Sequence, residues 1–302
     1  MTASERADGA ILKTTTYCIS NDIAVTVHGS ETHGRTPWII LCHGFCGIQE
    51  ILLPAFAEAF AAAGFTSVTF DYRGFGKSGG ERGRLVPAMQ IEDIQTVIAW
   101  TKQHTAHDED RIGLWGTSFG GCHVVSAAAN NPDISCVVTQ LPFADGETIV
   151  TGRMSSEEKL GFIATLDKME AKRRDSGKEM FVGITRVLND DESKAFFEAY
   201  KDEFPAMNVK IPFLTVRETL LYKPAIAARD VVCPVLVVVA EKDTVNPPEQ
   251  GQALFDAIGT PTKALHNETG ARHYDIYSGA HFDNVVAAEI SWFKTHLQPV
   301  SL

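Results

Sequence analysis

The segment that most restricts how this chain can fold is residues 111–130, RIGLWGTSFGGCHVVSAAAN. Ile112, Leu114 and Trp115 make a short apolar strand and His123 onward continues as an Ala-rich helix, so Gly116-Thr117-Ser118-Phe119-Gly120 falls at a strand-to-helix junction. A serine at such a junction sits on a sharp, strained turn, and the residues two before and two after it approach so closely that a side chain on either would clash. Gly116 and Gly120 meet that demand. The strain holds Oγ out of the turn, and the helix N-terminus points N–H groups at any oxyanion formed when Ser118 attacks a carbonyl. G-x-S-x-G also arises by chance in Gly-rich proteins, but the flanking strand and helix favour a nucleophile here.

The rest of the chain alternates strands and helices around this junction. Residues 14–20 and 23–28 are β-rich runs separated by Asn21-Asp22, which predicts a hairpin at a sheet edge. Trp38-Ile39-Ile40-Leu41-Cys42 is a continuous apolar run of the kind buried on both faces, and it ends in His43-Gly44-Phe45-Cys46-Gly47. A helix is expected over residues 50–63, stopped by Gly64, then a buried strand over 66–70 and a helix begun by Pro87 with Ile91, Ile94, Ile98 and Thr101 on one face. After the junction, strands are expected at 135–139, 235–240 and, more weakly, 262–265, with helices at 248–258 and 285–296. Such alternation implies an α/β fold with a mostly parallel central sheet and helices on both faces. Residues 145–230 break the pattern. They are rich in charge and helix formers, with Phe162, Ile163, Leu166 and Met169 at helical spacing, and read as an inserted helical lid on a core formed by 1–144 and 231–302.

Composition narrows the function classes. At 302 residues with 44% hydrophobic and 22% charged content, the chain is an ordinary globular protein. A chain of that length buries roughly 75% of its unfolded surface. The formal charge of -11 argues against nucleic acid or an anionic membrane as partner and leaves a small-molecule substrate as the expectation. The six cysteines form no C-x-x-C pair, and the histidines lack ligand spacing, so neither a disulfide framework nor a metal site is expected. MTASERADGA lacks an apolar signal core and no run approaches 18 apolar residues, so a cytoplasmic location is expected, with a homodimer compatible. Gly74-x-Gly76-x-x-Gly79 matches a dinucleotide fingerprint and Gly76-Lys77-Ser78 the end of a phosphate loop. Neither fits its context, because Asp71 stands where a phosphate loop needs glycine and the dinucleotide motif normally follows the first strand of its unit.

Taken in order, His43-Gly44, Asp71-Tyr72-Arg73-Gly74-Phe75-Gly76, the Ser118 turn, Pro234-Val235 leading to Glu241-Lys242-Asp243, and a histidine in the last loop make the chain resemble the α/β-hydrolases over nearly its whole length. It is most similar to lidded bacterial and fungal serine hydrolases related to dienelactone hydrolase and prolyl-peptidase-like enzymes, with polyketide-transferase-like relatives. The resemblance implies a triad in the chain order Ser, Asp, His with no cofactor. A serine hydroxyl is a poor nucleophile until a histidine takes its proton, and an acid must hold that imidazole in the right tautomer. Asp243 is the acid by resemblance, with Glu241 its rival. For the base, which should project from the loop after the last strand, His273 lies eight residues beyond Leu265, whereas His281 stands next to the terminal helix. The resembled family's pattern after the base matches Asp275, Tyr277, Gly279 and Phe282 if the base is His273. Resemblance and geometry both place the oxyanion hole at the backbone N–H groups of Phe45 and Phe119. His43 reads as a hydrogen-bonded structural residue, and Cys42 and Cys46 as packing.

The expected function is cleavage of a carboxylic ester, lactone or thioester of a small, largely apolar substrate through an acyl-enzyme. The alternatives are acyl transfer to an alcohol and a ligand-binding or receptor role with a slow triad. This fold alone does not choose among them.

Overall fold

The computed structural model describes residues 4–5, 11–30, 36–104 and 111–297. Its strands are β1 (Ser4–Glu5), β2 (Ile11–Ile19), β3 (Ile23–Ser30), β4 (Trp38–Cys42), β5 (Thr66–Phe70), β6 (Ile112–Thr117), β7 (Ile134–Gln140), β8 (Phe181–Gly183), β9 (Lys210–Pro212), β10 (Val235–Ala240) and β11 (Lys263–Glu268). The helices are α1 (Leu53–Ala62), α2 (Pro87–His104), α3 (Phe119–Ala129), α4 (Gly146–Thr151), α5 (Ser156–Ser176), α6 (Asp191–Tyr200), α7 (Thr215–Leu221), α8 (Pro224–Ala228), α9 (Pro248–Ala257) and α10 (Gly279–His296). All strands but β8 and β9 join one sheet in the order β1-β2-β3-β5-β4-β6-β7-β10-β11. Its β1, β2, β3 and β5 pair antiparallel and the remaining neighbours pair parallel.

The apolar strands lie at the centre because both of their faces are covered. Along β4 and β10 alternate residues enter opposite cores: Ile40, Cys42, Val235 and Val237 face one side, and Ile39, Leu41, Leu236 and Val238 the other. The first core takes Ile94 and Val97 of α2, Val124 and Val125 of α3 and Leu254 of α9. The second takes Phe56 and Phe60 of α1 and Val285 and Phe293 of α10. Each such side chain contributes about 1.5–3 kcal/mol on burial.

Element boundaries differ from expectation where polar side chains intervene. The first helix begins at Leu53 rather than Glu50. Until then the chain is held by His43 Nε2 on the Ile51 carbonyl (3.0 Å) and by the Gln49 N–H on Asp71 (2.8 Å), and Leu52 turns through a positive φ of 64°. The terminal helix begins at Gly279, so His281 lies inside its first turn rather than before it. The last strand runs on to Glu268, and β1 lies outside the hairpin formed by β2 and β3. Residues 145–230 contribute no strand to the large sheet; they hold α4 to α8 and the short antiparallel pair β8 and β9.

One buried group opposes the second core. Glu289 of α10 is 0% exposed, and among the described residues its carboxyl has no hydrogen-bond partner of normal geometry. Burial pushes its pKa well above the ordinary 4.5, an effect the nearby Trp115 indole offsets only in part. A raised folded pKa means the native state holds a proton that the unfolded chain releases, so this group's contribution is intact below about pH 4.5 and is lost as pH rises. Glu289→Gln, neutral at every pH, should therefore match the wild type near pH 4.5 and gain on it above that by about 1.4 kcal/mol per pH unit until the folded pKa is reached. Thermal melts of both proteins from pH 4.5 to pH 8 measure the divergence.

Candidate active site

Ser118 joins β6 to α3 with φ 55° and ψ -120°, a conformation that costs roughly 1–3 kcal/mol for a residue with a side chain. The glycines around it have no room for anything larger. A Cβ on Gly116 would lie 2.3 Å from the Gly120 carbonyl oxygen, and one on Gly120 would lie 2.3 Å from that of His43. Close approach of the β4 end to the turn thus depends on Gly120, and the tightness of the turn itself on Gly116, while the Ser118 N–H anchors the turn by donating to Gln140 (2.7 Å).

Asp243 stands three residues beyond β10, and its Oδ1 accepts the backbone N–H groups of Val245 and Asn246, both at 2.8 Å. Its Oδ2 lies 2.7 Å from His273 Nδ1. A carboxylate accepts, so Nδ1–H is the donor and Nε2 is left as the basic nitrogen. Asp243 and His273 are 4% and 2% exposed, which removes competing water from this bond. The turn after Asp243 also reaches the serine. Asn246 Nδ2 donates to the Leu141 carbonyl at 2.8 Å and approaches Ser118 Oγ at 3.4 Å. Nothing in the sequence singles out Asn246 beyond its spacing of three residues from Asp243.

The rivals to these residues are occupied elsewhere. Glu241 is exposed and accepts the Gly270 N–H at 2.7 Å, while the Lys242 N–H donates to Ala271 at 2.8 Å. Both bonds pin the loop that delivers His273. His281 Nδ1 contacts Glu268 Oε1 at 2.7 Å, and Glu268 Oε2 contacts His266 Nε2 at 3.0 Å. Burial works against the charge on Glu268, but hydrogen bonds from His281, His266 and Asn284 outweigh it and hold the carboxyl below its ordinary range. His281 thus fastens α10 to the end of β11.

Phe45 follows the β4 end and Phe119 is the first residue of α3, with their rings edge to face at 5.6 Å. The first N–H groups of a helix have no intrahelical acceptor, which leaves that of Phe119 free for a ligand. His43 is buried beneath Gly47, donates from Nε2 to Ile51, and has its pKa pushed down to about 4 by burial. The Cys42 and Cys46 thiols are buried in the first core and pushed up by that burial. The Gly74-Gly76-Gly79 stretch forms a tight turn on Asp71, whose carboxylate accepts the N–H groups of Gln49 (2.8 Å) and Lys77 (2.9 Å). A Cβ on Gly76 would lie 2.2 Å from that carboxyl, which explains its glycine without a nucleotide. Among the described residues no group of three His, Cys, Asp or Glu side chains could hold a metal ion, and no helix is long and apolar enough to cross a membrane.

Two cavities meet at Ser118. The larger, about 650 Å³, is walled by Phe119, Phe143, Ile149 and Phe162 and also by the charged residues Arg153, Arg186, Asp190 and Glu249. The smaller, about 70 Å³, is bordered by His273, Tyr277 and the inserted residues Ile184, Phe196, Phe197 and Met207. Phe45, Ser118, Leu188 and Val245 border both. Tyr274, next to His273, bonds Ser193 Oγ at 3.0 Å and stacks on Phe196 at 4.5 Å, tying the histidine loop to α6.

This sheet order, with a serine on a strained turn after β6 and an Asp–His pair from the loops after β10 and β11, defines a class, and the family comparison agrees. Residues 37–280 match the alpha/beta hydrolase fold model, and the chain belongs to that family. It is 58% identical over 286 residues, 95% of this chain and 100% of the other, to an uncharacterized 31.7 kDa protein in the traX-finO intergenic region of Escherichia coli. It is 30% identical over 290 residues, 91% and 92% of the two chains, to the quorum-quenching protein AidA of Acinetobacter baumannii. Among solved structures, DcsB in complex with its substrate analogue shares the fold with a TM-score of 0.79 at 23% identity, covering 95% of this chain and 99% of that one.

Proposed function

We propose that the protein is a serine hydrolase that cleaves a carboxylic ester, lactone or thioester of a small, largely apolar substrate through an acyl-enzyme. The observation that carries the reading is the buried 2.7 Å bond from His273 Nδ1 to Asp243, made beside a serine on a strained turn and opening on the same small cavity. Ser118 Oγ attacks the carbonyl carbon while His273 Nε2 takes its proton, and the imidazolium is stabilised by Asp243. Backbone N–H groups of Phe45 and Phe119 receive the oxyanion. The proton on His273 passes to the leaving oxygen or sulfur, and water activated by the same nitrogen then releases the acid. Residues 145–230 act as a lid that supplies part of the wall of both cavities. The quorum-quenching name of the relative from Acinetobacter baumannii supports a small-molecule substrate.

Methyl and vinyl esters of straight-chain acids, followed by acid release, test the reading, because a binding protein would hold them without turnover. Asp243→Asn should lower kcat by orders of magnitude, though by less than Ser118→Ala does, since an amide in place of the carboxylate supports the wrong imidazole tautomer. A loss below tenfold, measured by the same acid release, would move the acid elsewhere.

A further inference from the structure

The loops that carry the acid and the base are both met by adjacent residues of one inserted helix. Thr244, which follows Asp243, donates from Oγ1 to Glu192 Oε1 at 3.0 Å. Tyr274, which follows His273, bonds Ser193 Oγ at 3.0 Å and stacks on Phe196 with ring centroids 4.5 Å apart. Glu192, Ser193 and Phe196 all lie in the first part of α6 (Asp191–Tyr200). Another inserted residue, Arg153, donates to the Thr244 carbonyl at 3.1 Å. Resting on the hydrolase reading above, we infer that α6 positions the proton relay: Ser193, acting through Tyr274, and Glu192, acting through Thr244, hold the His273 imidazole and the Asp243 carboxylate in register. Ser193 is then a positioning residue for the reaction, although it belongs to the insertion and not to the core.

A relay works only when its groups are held within about 0.5 Å and 10–20° of the productive geometry. His273 cannot secure that alone, because its ring bonds Asp243 through Nδ1 and must keep Nε2 for the serine. The base loop is fastened at both ends: Gly270 and Ala271 bond the stretch before Asp243, and Tyr277 bonds Thr117 Oγ1 at 2.6 Å. Tyr274 fastens its middle. The Tyr274 ring centroid lies 5.0 Å from that of His273 at a steep angle, so a shift of the tyrosine passes to the imidazole by direct contact. The residues of α6 suit this work. Phe196 and Phe197 are partly covered, while the one buried position of the helix goes to Ser193. A buried hydroxyl costs free energy unless it is bonded, and here Ser193 and Tyr274 satisfy each other. Asp190 accepts the Ser193 N–H at 2.8 Å, which fixes the serine through its backbone as well. The Glu192–Thr244 bond is exposed to competing water, so Ser193 carries the larger share.

Ser193→Ala and Tyr274→Phe delete the bond from either side, and the double variant deletes both hydroxyls. Each single variant strands one buried hydroxyl and should melt lower, whereas the double variant should recover most of that loss. Turnover should not follow stability. With vinyl octanoate, kcat should fall about tenfold in all three, with KM within about twofold of wild type, because each lacks the bond that positions the relay. In the free proteins the far-downfield proton resonance of His273 Nδ1–H should be sharp in the wild type and broadened in all three variants. Recovery of kcat along with the melting temperature in the double variant, or an unchanged resonance in every variant, would make the bond merely structural and overturn the inference. The resonance needs no substrate, so it reads the relay apart from the reaction. A wild-type protein that turns over no ester and gains no acyl group on Ser118 would instead overturn the hydrolase reading, and this one with it, whatever the resonance does.

Discussion

Ser118→Ala should lower kcat for any ester substrate by more than about 10³ and leave the protein folded. The loss is large because no other group can stand in for the hydroxyl: the residues bordering both cavities are Phe45, Leu188 and Val245 besides the serine. What survives the change is the stabilisation offered by the Phe45 and Phe119 N–H groups and by binding in the larger cavity. The fold should persist because Ser118 makes its turn through the backbone, with its N–H on Gln140 and its glycine neighbours at van der Waals limits, and alanine keeps both. Asn246 also keeps its stronger bond to Leu141. Circular dichroism and a melting curve establish the fold, and the acid-release rate then reports the hydroxyl alone. Wild-type turnover from the variant would end the serine mechanism.

The second large effect separates two histidines. His273→Ala should lose at least about 10³ in kcat and fail to form an acyl-enzyme, because the same nitrogen serves both half-reactions. It should also lose about 1–3 kcal/mol of stability, since Asp243 Oδ2 is left buried without its donor. His281→Ala removes a bond to Glu268 that lies outside both cavities, so it should keep kcat within about tenfold. The two variants thus differ in kind, and rapid-quench detection of the acyl-enzyme distinguishes them even where both are less stable. A dead His281→Ala beside an active His273→Ala would reassign the base.

How much of this was legible in the sequence follows from where the constraint lies. The strands at the sheet centre were readable because burial on both faces leaves an unbroken apolar run, as in Trp38–Cys42 and Val235–Ala240. The Ser118 turn was readable because a serine between two glycines at a strand-to-helix junction is a local pattern, although only Gly116 is demanded by a contact within the turn, with the Gly120 carbonyl, while Gly120 is demanded by the distant carbonyls of Cys42 and His43. Helix starts were misplaced where long-range hydrogen bonds decide them: Asp71 and His43 hold back the first helix, and no local pattern in residues 49–52 records either partner. Gly279-Ala280-His281 looks like a loop, yet it opens a helix because Ser278 takes the extended N-cap conformation and Glu268 gives His281 a partner. Asn246 and the unequal cavities were not legible, since both arise from how residues 145–230 and the loops after β10 and β11 pack around one serine.

The central claim is that Ser118 becomes covalently acylated with His273 and Asp243 as its proton relay. It is tested most directly by rapid quenching of the protein with vinyl octanoate, followed by intact mass and peptide mapping. The account predicts an octanoyl increment on the peptide carrying Ser118, in the wild type and more persistently in Asp243→Asn, and none in Ser118→Ala or His273→Ala. Turnover without any increment, or an increment on a different residue, would contradict it.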